Sequence, residues 1–97
     1  MIFYIILKEG DLMYKLLIVE DDFIIAKGLQ KHFEKYHYDV QYIEDFEHVL
    51  DEFLEFQPDL VLLDIHLPFF DGYYWCQEIR KISQVPIVFI SSANENM

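Results

Sequence analysis

Two acidic groups stand at the ends of two short apolar runs that lie far apart in the chain. Lys15-Leu16-Leu17-Ile18-Val19 leads into Glu20-Asp21-Asp22, and Leu60-Val61-Leu62-Leu63 leads into Asp64. A third run, Ile87-Val88-Phe89-Ile90, leads into Ser91-Ser92. A short apolar run with β-branched members reads as a parallel strand covered on both faces. Such a strand ends where its last residue meets water, and parallel neighbours present their C-terminal ends together. If the first two runs are neighbours, three or more carboxylates converge in one pocket. Like charges that close cannot all stay ionised unaided, and a hard divalent cation with oxygen ligands relieves them. A serine hydroxyl beside them adds a group that can hold a phosphate oxygen. The pocket then has a nucleophilic oxygen, a metal site and a hydroxyl, which suits the handling of a phosphoryl group.

The elements that must position these groups alternate along the chain. Residues 14–19 read as strand one. Asp22 can cap a helix over 23–35, because its carboxylate accepts first-turn N–H groups. Ile25, Leu29 and Phe33 form the helix's inward stripe, with Ala26 beside them. Residues 39–43 read as a short second strand. Phe46, Val49, Leu50, Phe53 and Leu54 fall at helical spacing, which predicts a helix over 46–55 capped by Asp45. Pro58 stops it, and 60–63 form strand three. A third helix over 72–82 buries Trp75, Ile79 and Ile82. Strand four covers 87–90, and Ala93 to Met97 start another helix. This β-α-β-α-β-α-β series predicts a doubly wound, flavodoxin-like parallel sheet with helices on both faces. For strand order 2-1-3-4 the switch point lies between strands one and three, which carry Asp21 and Asp64.

Size and composition narrow the functions. The 97 residues suffice for one small domain. With 18 acidic and 7 basic residues the net charge is -11. That argues against a nucleic-acid grip by this segment, since phosphate binding needs a basic face; it suits metals and basic protein partners. The single cysteine, Cys76, rules out an internal disulfide and fits a reducing cytoplasm. No stretch reaches the roughly 18 apolar residues of a membrane span. Met1 to Leu7 is apolar but short, and it lacks the basic start of a secretory signal. Residues 1–12 are expected to be a non-native or mis-assigned N-terminal extension, with Met13 the natural start. Lys8-Glu9-Gly10 fits a ribosome-binding sequence translated in frame. Mass spectrometry of the native protein tests this, and a dominant species beginning at Met1 refutes it.

Three separated runs, Leu17-Ile18-Val19-Glu20-Asp21-Asp22, Asp59 to Asp64 followed by Leu67-Pro68 and Asp71-Gly72, and Val85 to Ala93, resemble the receiver domain of bacterial two-component response regulators. The resemblance covers residues 13–97. It implies that Asp64 is the phosphoacceptor and takes its phosphoryl group from the phosphohistidine of a sensor histidine kinase. It further implies Mg2+ bound directly by Asp21 and through water by Glu20, with Asp64 and the backbone carbonyl of His66 completing the protein ligands. Ser91 would hydrogen-bond a phosphoryl oxygen, while Pro68, Asp71 and Gly72 shape the loop. The output in the intact protein would be transcriptional, through a C-terminal DNA-binding domain of the winged-helix type, so DNA is not contacted by this segment.

The chain departs from the family pattern at its end. A full receiver has a fifth strand and helix, and the fifth strand supplies a lysine for the phosphoryl group and an aromatic switch residue. The chain therefore reads as a truncated receiver. Strand four would then be an exposed edge, and exposed edges pair with other chains. Weak monomer stability or a homodimer through that edge is expected, with Ile2 to Leu7 a candidate surrogate strand.

Blander readings exist for each residue. Glu20-Asp21-Asp22 alone would be a solvated turn with a helix cap, and Asp22 is read as only that cap. A serine at a strand end is often a turn residue, and Ser92 competes with Ser91. His32, His37, His48 and His66 share no metal-ligand spacing. Of Tyr73 and Tyr74, one should face solvent near the site. Two rival functions remain. An aspartyl-phosphate phosphohydrolase would want a second aspartate two residues after the nucleophile, where this chain has His66. A degenerate receiver would act only as a protein-interaction domain.

Overall fold

The computed structural model describes residues 13–91. The elements are β1 (Lys15–Val19), α1 (Phe23–Glu34), β2 (Asp39–Tyr42), α2 (Val49–Phe56), β3 (Leu60–Asp64), α3 (Gly72–Arg80) and β4 (Ile87–Ile90). The four strands form one sheet in the order β2-β1-β3-β4, with every pairing parallel. Val19 pairs with Leu63 and Asp64 with Ile90, so the C-terminal ends of β1, β3 and β4 lie side by side. The expected strand order and α/β class are both present.

Between Lys15 at the start of β1 and Asp64 at the end of β3, the central strands are apolar at every position because both of their faces are covered. Leu17, Val19, Val61 and Leu63 pack under α2 and α3 with Val49, Phe53, Phe56, Trp75 and Ile79. Leu16, Ile18 and Leu62 pack on the opposite face with Ala26 of α1 and Val40 of β2. The period-two alternation of a strand divides one run between two half-cores.

Several expected positions need correction. α2 begins at Val49 rather than Phe46, and Asp45 does not cap it. Asp45 Oδ1 instead accepts the N–H of Glu47 at 3.1 Å, and its Oδ2 lies 2.8 Å from His48 Nδ1. These local bonds hold Phe46 and Glu47 in a turn, the usual competition that an Asp side chain offers a helix. Glu52 reaches back from α2 to the N–H of Asp45 at 2.8 Å. α3 ends at Arg80, leaving Ile82 about half exposed. Ile25 and Leu54 are also exposed, while Ala26, Val49 and Phe53 are buried as expected and Phe56, one residue past the expected helix end, joins them.

Among the described residues β4 pairs only with β3, and Val88 and Phe89 are 47% and 39% exposed. The expected extension at 1–12, the helix from Ala93, and Ser92 lie outside the described residues.

Candidate metal and phosphoacceptor site

The acidic pocket is built by strand ends. β1 runs out at Val19, and Glu20 stays buried at 3% exposure while Asp21 is exposed. Asp22 accepts the N–H groups of Ile24 at 3.0 Å and Ile25 at 3.2 Å, and so starts α1, as expected. Its own N–H donates to Glu20 Oε2 at 2.9 Å, which turns that carboxylate back toward the sheet end. Asp64 is the last residue of β3 and is 0% exposed. Its Oδ1 accepts the N–H of His66 at 3.2 Å, so the loop folds over the carboxylate as it leaves the strand.

One carboxylate oxygen from each of Glu20, Asp21 and Asp64 lies within 4.8 Å of the others. Crowding and burial leave a mark. The Glu20 carboxyl is pushed up to about 7, first by its burial and then by the charges of Asp64 and Asp21, against the pull of the Asp22 N–H. A carboxyl that takes up a proton near neutral pH does so for want of positive charge. Three hard oxygen donors converging from two strands fit Mg2+ or Ca2+, and they do not fit a soft metal.

The other expected residues are found around this pocket. His66 follows β3 by two residues, with an exposed imidazole and its N–H on Asp64. Ser91 follows β4, one residue beyond the level of Asp64 on the adjacent strand, and is exposed. Tyr73 and Tyr74 are both exposed, where one was expected; Tyr74 stacks on Phe70 at 4.3 Å and Tyr73 lies 5.3 Å from Phe89. All four histidines are exposed.

Two features went unread in the sequence. Phe69 adopts φ 68°, a left-handed conformation that its residue type disfavours. Gly72 lies against the backbone of Asp64 so closely that a Cβ would collide with that residue's carbonyl oxygen. The Asp71-Gly72 pair signalled a shaped loop but not that contact.

A doubly wound parallel sheet with a carboxylate pocket at its switch point defines a class of α/β proteins that bind ligands at strand ends. Comparison with known proteins narrows this class. A family model described as the response regulator receiver domain matches residues 16–97. The "Uncharacterized transcriptional regulatory protein YvcP" of Bacillus subtilis is 53% identical over 85 residues, which is 88% of this chain and 36% of that protein. The chain thus spans little more than a third of that relative's length. Among solved structures, the N-terminal domain of the nisin resistance regulator NsrR superposes with a TM-score of 0.77 at 46% identity, covering 87% of this chain and 71% of that one. The response regulator TrrA of Thermotoga maritima, solved in complex with Mg(2+)-BeF, gives a TM-score of 0.76 at 29% identity, over 84% of this chain and 72% of that one. The chain belongs to the response regulator receiver domain family. Among the described residues no helix is long and apolar enough to cross a membrane.

Proposed function

We propose that this chain is the phosphoacceptor module of a two-component response regulator. A sensor histidine kinase would donate a phosphoryl group to Asp64, and in the intact protein the change would control a transcriptional output domain. The observation that carries this reading is the convergence of Glu20, Asp21 and buried Asp64 at adjacent strand ends. Family membership supports it, as does the Mg(2+)-BeF complex of the TrrA relative.

In this reading a carboxylate oxygen of Asp64 attacks the donor phosphorus. The new O–P bond forms as the N–P bond to the donor imidazole breaks, and the imidazole leaves with the electron pair. Glu20, Asp21, Asp64 and the backbone carbonyl of His66 would hold Mg2+. When bound, the ion offsets the repulsion between an anionic nucleophile and an anionic donor. The His66 N–H fixes the Asp64 carboxylate, and Ser91 would hold a phosphoryl oxygen. The module would take part in its own phosphotransfer and dephosphorylation and would not act as an enzyme on other substrates. It would work in the cytoplasm and leave DNA to another domain.

Intact-mass measurement after incubation with acetyl phosphate and Mg2+ tests the assignment. One phosphoryl adduct is expected, absent in Asp64→Ala and without the metal. Equal labelling of Asp64→Ala would refute it, and turnover of p-nitrophenyl phosphate would favour the phosphohydrolase.

A further inference from the structure

We propose that the groove beside the carboxylate pocket accepts an arginine side chain carried by a partner protein. The groove, of about 270 Å³, lies at the C-terminal ends of β1 and β2. Phe23, Tyr42 and Phe46 wall it, and Glu20, Asp21 and Glu44 edge it. Phe23 and Tyr42 meet edge to face at 5.7 Å. Their rings already attract a cation: the Lys27 ammonium lies 5.9 Å from the Phe23 centroid and 5.7 Å from that of Tyr42.

Aromatic faces beside carboxylates suit a guanidinium better than an ammonium. Its plane stacks on a ring while its edge donates to carboxylate oxygens, and it is the more weakly hydrated of the two. Glu44 is placed for that role. Its own N–H is held by Glu52 at 3.3 Å, which fixes the residue at the groove's edge. Among the described residues no cation pairs with the Glu44 carboxylate. Glu44 also stands outside the metal cluster, so its charge remains available when a divalent ion neutralises Glu20 and Asp21. The net charge of -11 favours a basic partner and steers it toward the surface.

The inference goes beyond the phosphoacceptor reading and does not require phosphorylation. Its test is titration of the full 15N-labelled chain in saturating Mg2+ with N-acetyl-arginine amide, N-acetyl-lysine amide and the neutral isostere N-acetyl-citrulline amide. Arginine amide is expected to give saturable shifts at Phe23, Tyr42, Glu44 and Phe46. Lysine amide should bind roughly threefold more weakly, and citrulline amide should not shift these residues. Glu44→Gln and the exposed Phe23→Leu should each weaken arginine binding about threefold. No saturable shift, equal binding by lysine or citrulline amide, or arginine binding unchanged in both variants overturns the proposal. Acetyl phosphate labelling of Asp64 in the same sample separates the two readings: intact labelling without groove binding sinks this inference alone.

Discussion

Gly72 and Asp64 touch through their backbones. Gly72 donates its N–H to the carbonyl of Ile65 at 2.8 Å, and a Cβ at Gly72 would collide with the carbonyl oxygen of Asp64. The first residue of α3 is thereby a stop against the strand that presents the candidate nucleophile. Alanine normally stabilises a helix relative to glycine by about 1 kcal/mol. Here the collision should dominate, and Gly72→Ala is expected to cost roughly 1–3 kcal/mol, as overpacking does. It should also weaken Mg2+ binding, because Asp64 must shift. Urea unfolding with a Mg2+ titration checks both, and a variant as stable as the parent with equal affinity would contradict the contact.

Phe69 gives a prediction of opposite sign. Its φ of 68° is strained for any side chain, and at 68% exposure it buries little. Left-handed backbone costs a non-glycine residue about 1–2 kcal/mol, and glycine gives back part of that as chain entropy. Phe69→Gly is expected to stabilise the fold by roughly 0.5–1 kcal/mol. Thermal unfolding measures it, and a clear loss of stability would mean that the exposed ring makes contacts of its own.

The turn before α2 should respond to pH. Asp45 holds the His48 ring by a hydrogen bond and by charge, which raises the His48 pKa above its ordinary value and lowers that of Asp45. The histidine's contribution is fully present below pH 6.5 and fades as pH rises through its folded-state value. The aspartate's contribution is present above pH 3.8 and fades as pH falls through its own. The pair therefore helps most between those limits, and weakly, since both groups are exposed. An NMR titration should show the His48 midpoint falling in Asp45→Asn and in high salt. An unchanged midpoint would exclude the pairing.

These contacts mark the boundary of what the sequence discloses. The apolar runs before Glu20 and Asp64 are covered on both faces, so their composition alone announces central parallel strands. It does not fix their order; the order 2-1-3-4, and with it the convergence of Glu20, Asp21 and Asp64, belongs to the doubly wound topology that the resemblance to a receiver domain implies. Asp22 was legible as a cap because a carboxylate before a helical stripe has one common use. Asp45 reads the same way but spends both oxygens on its own turn, a local choice that spacing cannot distinguish. Ile25 and Leu54 misled because helical periodicity fixes a stripe only to within a neighbouring position, and Ile82 because α3 stops at Arg80, before reaching it. The approach of Gly72 to Asp64, and the groove between Phe23 and Tyr42, join residues whose distance depends on how loops close; no periodicity encodes them.

Glu20 links the pocket's electrostatics to stability. Its folded-state value of about 7 lies above its ordinary 4.5. A raised carboxyl favours folding fully below pH 4.5, and that advantage is lost as pH rises through about 7. Without divalent ions, stability should fall across that window by an amount on the order of a few kcal/mol. Glu20→Gln should flatten this part of the profile, since a neutral amide has no charge to desolvate. Saturating Mg2+ should also remove the fall, because the bound ion stabilises the ionised form, and binding near pH 7 should release protons. Denaturation between pH 5 and 8 with EDTA or Mg2+, beside calorimetry in buffers of differing ionisation heat, reads both effects. If the metal-depleted protein instead gained stability across the window through Glu20, the three carboxylates would not be crowding one another, and the cation site would lose its physical basis.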